Sequence, residues 1–275
     1  MEIGDFRLEQ LSEGIFEVSQ AGSIRKIRDL GKDTASDSVT RVGLDPVLID
    51  TGNTAILLDA GLGMGLDNKE PEPETSNIVT NLEIFGYHPK DIGAVILSHL
   101  HYDHAAGLSY TNKADRICAT LPNAKIYVQK MEWEAALQSL ESRPEVQGMG
   151  YEPDDLYRLV ADGRLVLLDK ELQEILKGIT VIRTGGHTPG HQIVRIRQNG
   201  QTVYYCGDLI PNELHLNRFV ATKIDTDFIK ARKARVLLMQ QAWHDKATLL
   251  FYHSMHVKAG MLVRDKNRGF VLKKD

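Results

Sequence analysis

The chain has 275 residues, 42% hydrophobic and 25% charged, a balance that excludes wholesale disorder and supplies apolar material for a sizeable core. A net charge of −4 and a pI near 6.2 offer no general basic field, so nucleic acid and an anionic membrane are excluded as expected partners in favour of a small molecule. No apolar run approaches membrane-span length and Met1-Glu2-Ile3-Gly4-Asp5 has no signal-peptide pattern, so the expectation is a cytoplasmic protein.

In chain order, Ile3, Phe6 and Leu8, then Ile15, Phe16 and Val18, alternate around Glu13-Gly14 and predict two early strands joined by a turn. Residues 20–43 hold Gly22, Gly31 and Gly43 and the basic run Arg25-Lys26-Ile27-Arg28 without a sustained apolar period. They read as a solvated loop, with a lid or interaction element as the second reading. Val47-Leu48-Ile49 and Ala55-Ile56-Leu57-Leu58 form a hairpin around Asp50-Thr51-Gly52-Asn53. Beyond the Pro-rich 70–74 linker, Asn77 caps a helix with Ile78, Leu82 and Phe85 on one face, stopped at Gly86.

Ala94-Val95-Ile96-Leu97 is a continuous apolar run, as expected of a strand buried on both faces. A strand at 126–128, a helix from Met131 to Leu140, and a helical turn after Pro153-Asp154-Asp155 follow. Strands are then predicted at about 179–184, 192–197 and 202–206, with Asn199-Gly200 turning between the last two. The helix at about 226–244 places Phe228, Ala231, Ala234, Leu238 and Ala242 on one stripe, and residues 248–252 form the last buried strand. Strand groups alternating with helices predict α/β layers in one domain spanning 1–275. Cys118 and Cys206 lack CxxC spacing and read as buried thiols.

The chemistry concentrates in Ser98-His99-Leu100-His101-Tyr102-Asp103-His104, directly after a buried strand. In extended backbone, residues two apart face the same side, so His99 and His101 converge on one point. A turn then aims Asp103 and His104 at a neighbouring point, and one loop serves two adjacent ions. Imidazole and carboxylate without thiolate suit zinc, with manganese, iron or cobalt as substitutes. His187, Asp208 and His253 each stand just beyond a further strand, the usual place for a site in an α/β fold.

His99-x-His101-x-Asp103-His104 followed by His187, Asp208 and His253 resembles the metallo-β-lactamase superfamily of hydrolases. The resemblance implies an αββα sandwich: two mixed β-sheets face to face, helices outside, and the site at one edge. It assigns His99, His101 and His187 to one metal, Asp103, His104 and His253 to a second, and Asp208 to both. Asp59 is implied as a support of the metal loop, and His191 as a further outer partner. Within the superfamily, Gly43 to Leu48, Thr184 to His191, and Gly207 to Pro211 with His215-Leu216 are most similar to the lactonase and organophosphate-hydrolase branch.

That likeness implies a hydrolase that opens a lactone or cleaves a related ester with a nucleophile generated on two divalent ions, Asp103 also carrying the proton. Pro211 stands where some members of the branch have tyrosine, and Ser254 where aspartate often follows the last histidine. Phosphotriester, phosphodiester or thioester hydrolysis is the alternative activity. An iron oxygenase, or a silent ligand-binding member, is the alternative of another class. His88, His215, His244 and His256 lack partners in sequence and read as surface residues, although His215, on the loop after Asp208, is also the substrate-pocket candidate. A homodimer is compatible with the sequence.

Overall fold

The computed structural model describes residues 1–19, 24–27, 39–63, 77–112, 114, 116–142, 160, 162–217, 224–266 and 269–273. Two seven-stranded sheets dominate it. The first runs in the order β1 (Glu2–Ile3), β2 (Phe6–Gln10), β6 (Val47–Asp50), β7 (Ala55–Leu58), β8 (Ile92–Ile96), β11 (Lys125–Gln129) and β12 (Leu165–Leu168). The second runs β13 (Leu172–Leu176), β14 (Ile179–Arg183), β15 (Gln192–Gln198), β16 (Gln201–Tyr205), β17 (Thr248–Leu250), β18 (Ala259–Asp265) and β19 (Gly269–Leu272). Both are mixed: β7, β8, β11 and β12 pair in parallel, as do β16 and β17, and the remaining ladders are antiparallel.

The hydrophobic pattern explains the layering. Every residue of β7 is buried, because one face meets the opposing sheet and the other meets helices. Between the sheets, Val47, Ile49, Ile56, Leu58 and Ile96 of the first pack with Val181, Val194, Ile196, Val203 and Tyr205 of the second. On the outer face of the first sheet, α1 (Asn77–Ile84) inserts Ile78 and Leu82, and α3 (Lys130–Ser142) inserts Trp133 and Ala136. On the outer face of the second, α4 (Phe228–His244) packs Leu238, Met239 and Ala242. Each buried Leu, Ile, Val or Met side chain among these, fully removed from water, contributes about 1.5–3 kcal/mol. The expected αββα layering is therefore present.

Several expectations need correction. Residues 24–26 and 39–43, read as loop, lie in strands β4 (Ile24–Lys26) and β5 (Val39–Leu44), which flank β3 (Gly14–Ser19) in a three-stranded sheet. Their polar sequence fits because Glu17 of β3 is bonded by Arg25 at 2.6 Å and Arg41 at 3.0 Å across the ladders. Residues 20–23 and 28–38, where the lid reading mainly fell, and the helical turn after Pro153 lie outside the described residues. The early segment holds three strands, not two. β12, β13, β18 and β19 were not predicted, nor the pair β9 (Ser109–Thr111) and β10 (Ile117–Ala119). β13 shows why: it is an edge strand with its residues alternating between exposed and half-buried, so it carries little apolar signal. The α4 stripe also differs, since Phe228 is 41% exposed and Arg235, which lies outside the expected stripe, is buried. Cys206 is buried as expected, whereas Cys118, on β10, is only half-buried.

Candidate metal centre

Four strands, one of the first sheet and three of the second, deliver the candidate residues beyond their C-terminal ends. β8 leads into 98–104, where a short helix α2 (Tyr102–Ala105) turns the chain after His101. β14 leads to His187, β16 to a tight turn over Gly207–Leu209 carrying Asp208, and β17 to His253. Gly207 makes this turn possible: its φ is +49°, and a Cβ there would lie 2.7 Å from Ser98 Cβ and 2.8 Å from His191 Nε2. Gly107, after α2, is equally constrained, since a Cβ would fall 2.0 Å from the Ala60 carbonyl oxygen.

The seven candidate residues meet, and all are buried. His101 Nδ1 lies 2.9 Å from His99 Nε2 and 3.1 Å from His187 Nε2. His99 also joins His104 and Asp208 in a second cluster, and Asp103, His104 and His253 form a third. Asp208 ties them together, with Oδ2 3.3 Å from His187 Nε2, and Oδ1 3.3 Å from His104 Nε2 and 3.1 Å from His253 Nε2.

The far ring nitrogens say which lone pairs are available. His104 Nδ1 meets Asp59 Oδ2 at 2.7 Å, His187 Nδ1 meets Asp225 Oδ1 at 3.0 Å, and His253 Nδ1 meets the Gly43 carbonyl at 2.9 Å. His99 Nδ1 faces Ser98 Oγ at 3.0 Å. Each of these oxygens can accept a proton from Nδ1, which leaves the inward-facing Nε2 to supply the lone pair a metal ligand requires. The Gly43 carbonyl thus fills the supporting role left open by Ser254, whose hydroxyl instead donates to Glu213 at 2.7 Å.

A divalent cation fits this arrangement. Asp103 Oδ1 and Oδ2, His104 Nε2, Asp208 Oδ1 and His253 Nε2 are buried and have no hydrogen-bond partner among the described residues. Buried polar atoms are ordinarily satisfied, so a convergent set without partners is a site built for something else. Burial and the neighbouring imidazoles push His99 and His101 well below the ordinary histidine range, keeping their lone pairs free. Burial also opposes charge on His104 and His253, but it is outweighed: Asp103, Asp208 and Asp59 raise His104, and Asp208 and Asp103 raise His253. Those carboxylates create a demand for positive charge at this point. Against the cost of burial, His253, His104 and His187 hold Asp208 well below the carboxylate range.

The outer partners are as buried as the cluster. Asp59, in a left-handed backbone conformation at φ +56°, accepts from Ser98 N at 2.6 Å, Ser98 Oγ at 2.7 Å and Tyr205 OH at 2.6 Å while holding His104. It is therefore no simple turn aspartate. His191 accepts from the Asp208 backbone N at 3.0 Å and meets Thr184 Oγ1 at 2.8 Å; with burial first and His187 next, it is pushed down to about 3. His88, His244 and His256 are exposed as expected. His215 is half-buried instead, bonded to Asn212 Oδ1 at 2.7 Å, and pushed down to about 4 by burial and then by Arg235.

Sequence reasoning missed three supports. Asp225 holds His187, and Tyr252 donates to the Asp103 carbonyl at 2.5 Å. Glu132 of α3, fully buried, accepts from Leu100 N at 3.1 Å, Thr188 Oγ1 at 2.7 Å and Gly190 N at 2.9 Å, clamping the loops of both sheets. A charged residue inside the apolar stripe of a helix was the available signal for Glu132.

The sequence profile described as the metallo-beta-lactamase superfamily matches residues 41–254, which contain the whole cluster. The chain belongs to the metallo-β-lactamase superfamily. Among curated relatives of this superfamily member, an N-acyl homoserine lactonase of a Bacillus species is 27% identical over 232 residues, 78% of this chain and 83% of that one. A probable metal-dependent hydrolase from Staphylococcus aureus superposes with a TM-score of 0.76 at 25% identity, covering 100% of this chain and 99% of the other. A dizinc quorum-quenching lactonase in complex with a product matches with a TM-score of 0.76 at 22% identity, covering 100% and 96%. The chain is thus a hydrolase of the metallo-β-lactamase fold with His/Asp clusters suited to divalent metal. Among the described residues no helix is long and apolar enough to cross a membrane.

Proposed function

We propose that the chain is a dinuclear-metal hydrolase that opens lactones or cleaves related esters. The observation that carries this reading is the convergence of seven buried donors in overlapping clusters, with five atoms of Asp103, His104, Asp208 and His253 lacking a hydrogen-bond partner among the described residues. His99, His101 and His187 would hold one ion, Asp103, His104 and His253 the other, and Asp208 both; the nitrogen and oxygen donors favour zinc. Such a pair, when bound, polarises a carbonyl and lowers the pKa of water enough to supply a nucleophile at neutral pH.

The protein's own residues divide the remaining work. Asp59, Asp225 and the Gly43 carbonyl fix the donor tautomers, so the imidazoles need no reorganisation when substrate arrives. Asp103 is assigned the proton: neither of its carboxylate oxygens has a hydrogen-bond partner among the described residues, Oδ2 lies 3.4 Å from His253 Nε2, and its backbone is held by Tyr252. Pro211 has no hydroxyl to offer a substrate carbonyl, and its own carbonyl accepts from His253 N at 2.8 Å. His215, neutral at working pH and within the electrostatic reach of Asp208 and His253, is assigned to face substrate.

The lactone assignment draws on the lactonase relatives and on the sequence around Gly207 to Pro211. Zinc- or manganese-loaded protein is expected to release acid from members of a lactone panel, and chelation to abolish the release. No turnover on any lactone or carboxylic ester, with turnover on phosphotriesters, would replace this substrate class by the phosphorus one.

A further inference from the structure

Between α4 and the outer face of the second sheet runs a groove of about 1060 Å³, just above the roughly 300–1,000 Å³ usual for small-molecule sites. None of the candidate metal ligands lines it; the contact between the two places is Thr184, which borders the groove and bonds His191. Six cations line it: Arg183 from β14, Arg195 and Arg197 from β15, Lys230 and Lys233 from α4, and Arg264 from β18. Among the described residues no carboxylate does. In a chain of net charge −4, one sign gathered over a low-dielectric floor focuses a positive potential there.

Part of this charge is already used. Arg197 bonds Asp245 at 2.8 Å, and Arg264 lies 4.6 Å over the Trp243 ring. Arg183 meets Glu171 at 3.4 Å, but that glutamate side chain is 84% exposed, and such a pair holds the arginine weakly. Lys230 and Lys233 form no ion pair among the described residues, and Arg195 Nε is buried there without a hydrogen-bond partner. The same groove presents Leu172, 56% exposed, and Leu237, 65% exposed, with Ile182 and Trp243 beside them.

Each simpler occupant leaves something unanswered. An inorganic anion would leave the leucines in water, and a neutral hydrophobe would leave the lysines unpaired. A second copy docked by this same face would set six cations against six. We infer that the groove binds an amphipathic organic anion: a single aliphatic chain covering the exposed leucines, with a carboxylate or phosphate head paired to the uncommitted cations.

Trp243 in the lining supplies the readout. A bromine on the chain quenches indole fluorescence on contact, so 12-bromododecanoate and 12-bromododecyl phosphate are titrated below their micelle concentrations, with 12-bromododecanol as the neutral control. The expected result is saturable quenching by at least one anion, absent with the alcohol and abolished in Trp243→Phe. The stronger anion identifies the head group. In Lys230→Gln/Lys233→Gln, at two exposed positions and with the fold checked by circular dichroism, the dissociation constant is expected to rise about tenfold or more. Quenching that is non-saturable, matched by the alcohol, unchanged in the double variant, or seen only with anionic vesicles would overturn the proposal. Since Lys230 and Lys233 lie outside the metal cluster, this outcome is independent of any lactone turnover.

Discussion

The two halves of the candidate centre are built differently. The first sheet supplies His99, His101, Asp103 and His104 from a single loop after β8, whereas the second supplies His187, Asp208 and His253 one at a time from three separate strand ends. A local loop fixes its own spacing through α2, so its donors are close by construction. The scattered donors are close only because the sheets pack, and each needs a support from elsewhere: Asp225 for His187, the His191 ring for Asp208, and Gly43 for His253.

The sharpest way to break this comparison is at Asp208, where the halves meet. Asp208→Ala is expected to lose metal retention and hydrolytic activity together, by more than the roughly 10–100-fold typical of removing an outer partner. Metal content after gel filtration, measured alongside turnover, checks it; an active, fully loaded variant would remove Asp208 from the centre.

Smaller effects should separate the halves. Asp59→Asn weakens the loop half through Ser98 and His104, and Asp225→Asn weakens the other half through His187, each by about 10–100-fold in metal affinity or activity. Glu132→Gln should affect both, because Glu132 binds the backbone at Leu100 and at Gly190. A competitive chelator titration of the three variants tests the ordering, and a Glu132→Gln effect confined to one half would contradict the clamp.

That ordering reflects what the sequence made legible. The ligand cluster was readable because four donors fall within six residues after an apolar run, and the hairpin of β6 and β7 because Asp50-Thr51-Gly52-Asn53 is a turn between β-prone segments. Asp225 and Glu132 were not, because their partners lie 38 and 32 to 58 residues away and only packing brings them together. Edge strands such as β13 and β19 were missed because a half-exposed strand carries a diluted apolar pattern. Arg235 defeated the helix stripe in the opposite sense. It is a buried cation whose Nε donates to the Leu209 carbonyl at 2.8 Å, on the turn that carries Asp208.

The smallest expected effect is a pH dependence at His191. Its folded value of about 3 lies below the ordinary 6.5, so the unfolded chain binds the proton more tightly between these values. Stability is therefore lost as pH falls from about 6.5 toward 3. In chelator-treated protein, His191→Gln should flatten that part of a denaturant-midpoint profile. An unchanged slope would show that the ring's neutral form is not what the Asp208 backbone depends on.

Metal stoichiometry tests the central claim most directly, read by elemental analysis and located by anomalous scattering at the zinc edge. Two ions per chain are expected, one among His99, His101 and His187 and the other among Asp103, His104 and His253, with Asp208 touching both. A single ion at either position at full loading, or two ions with Asp208 turned away, would contradict it.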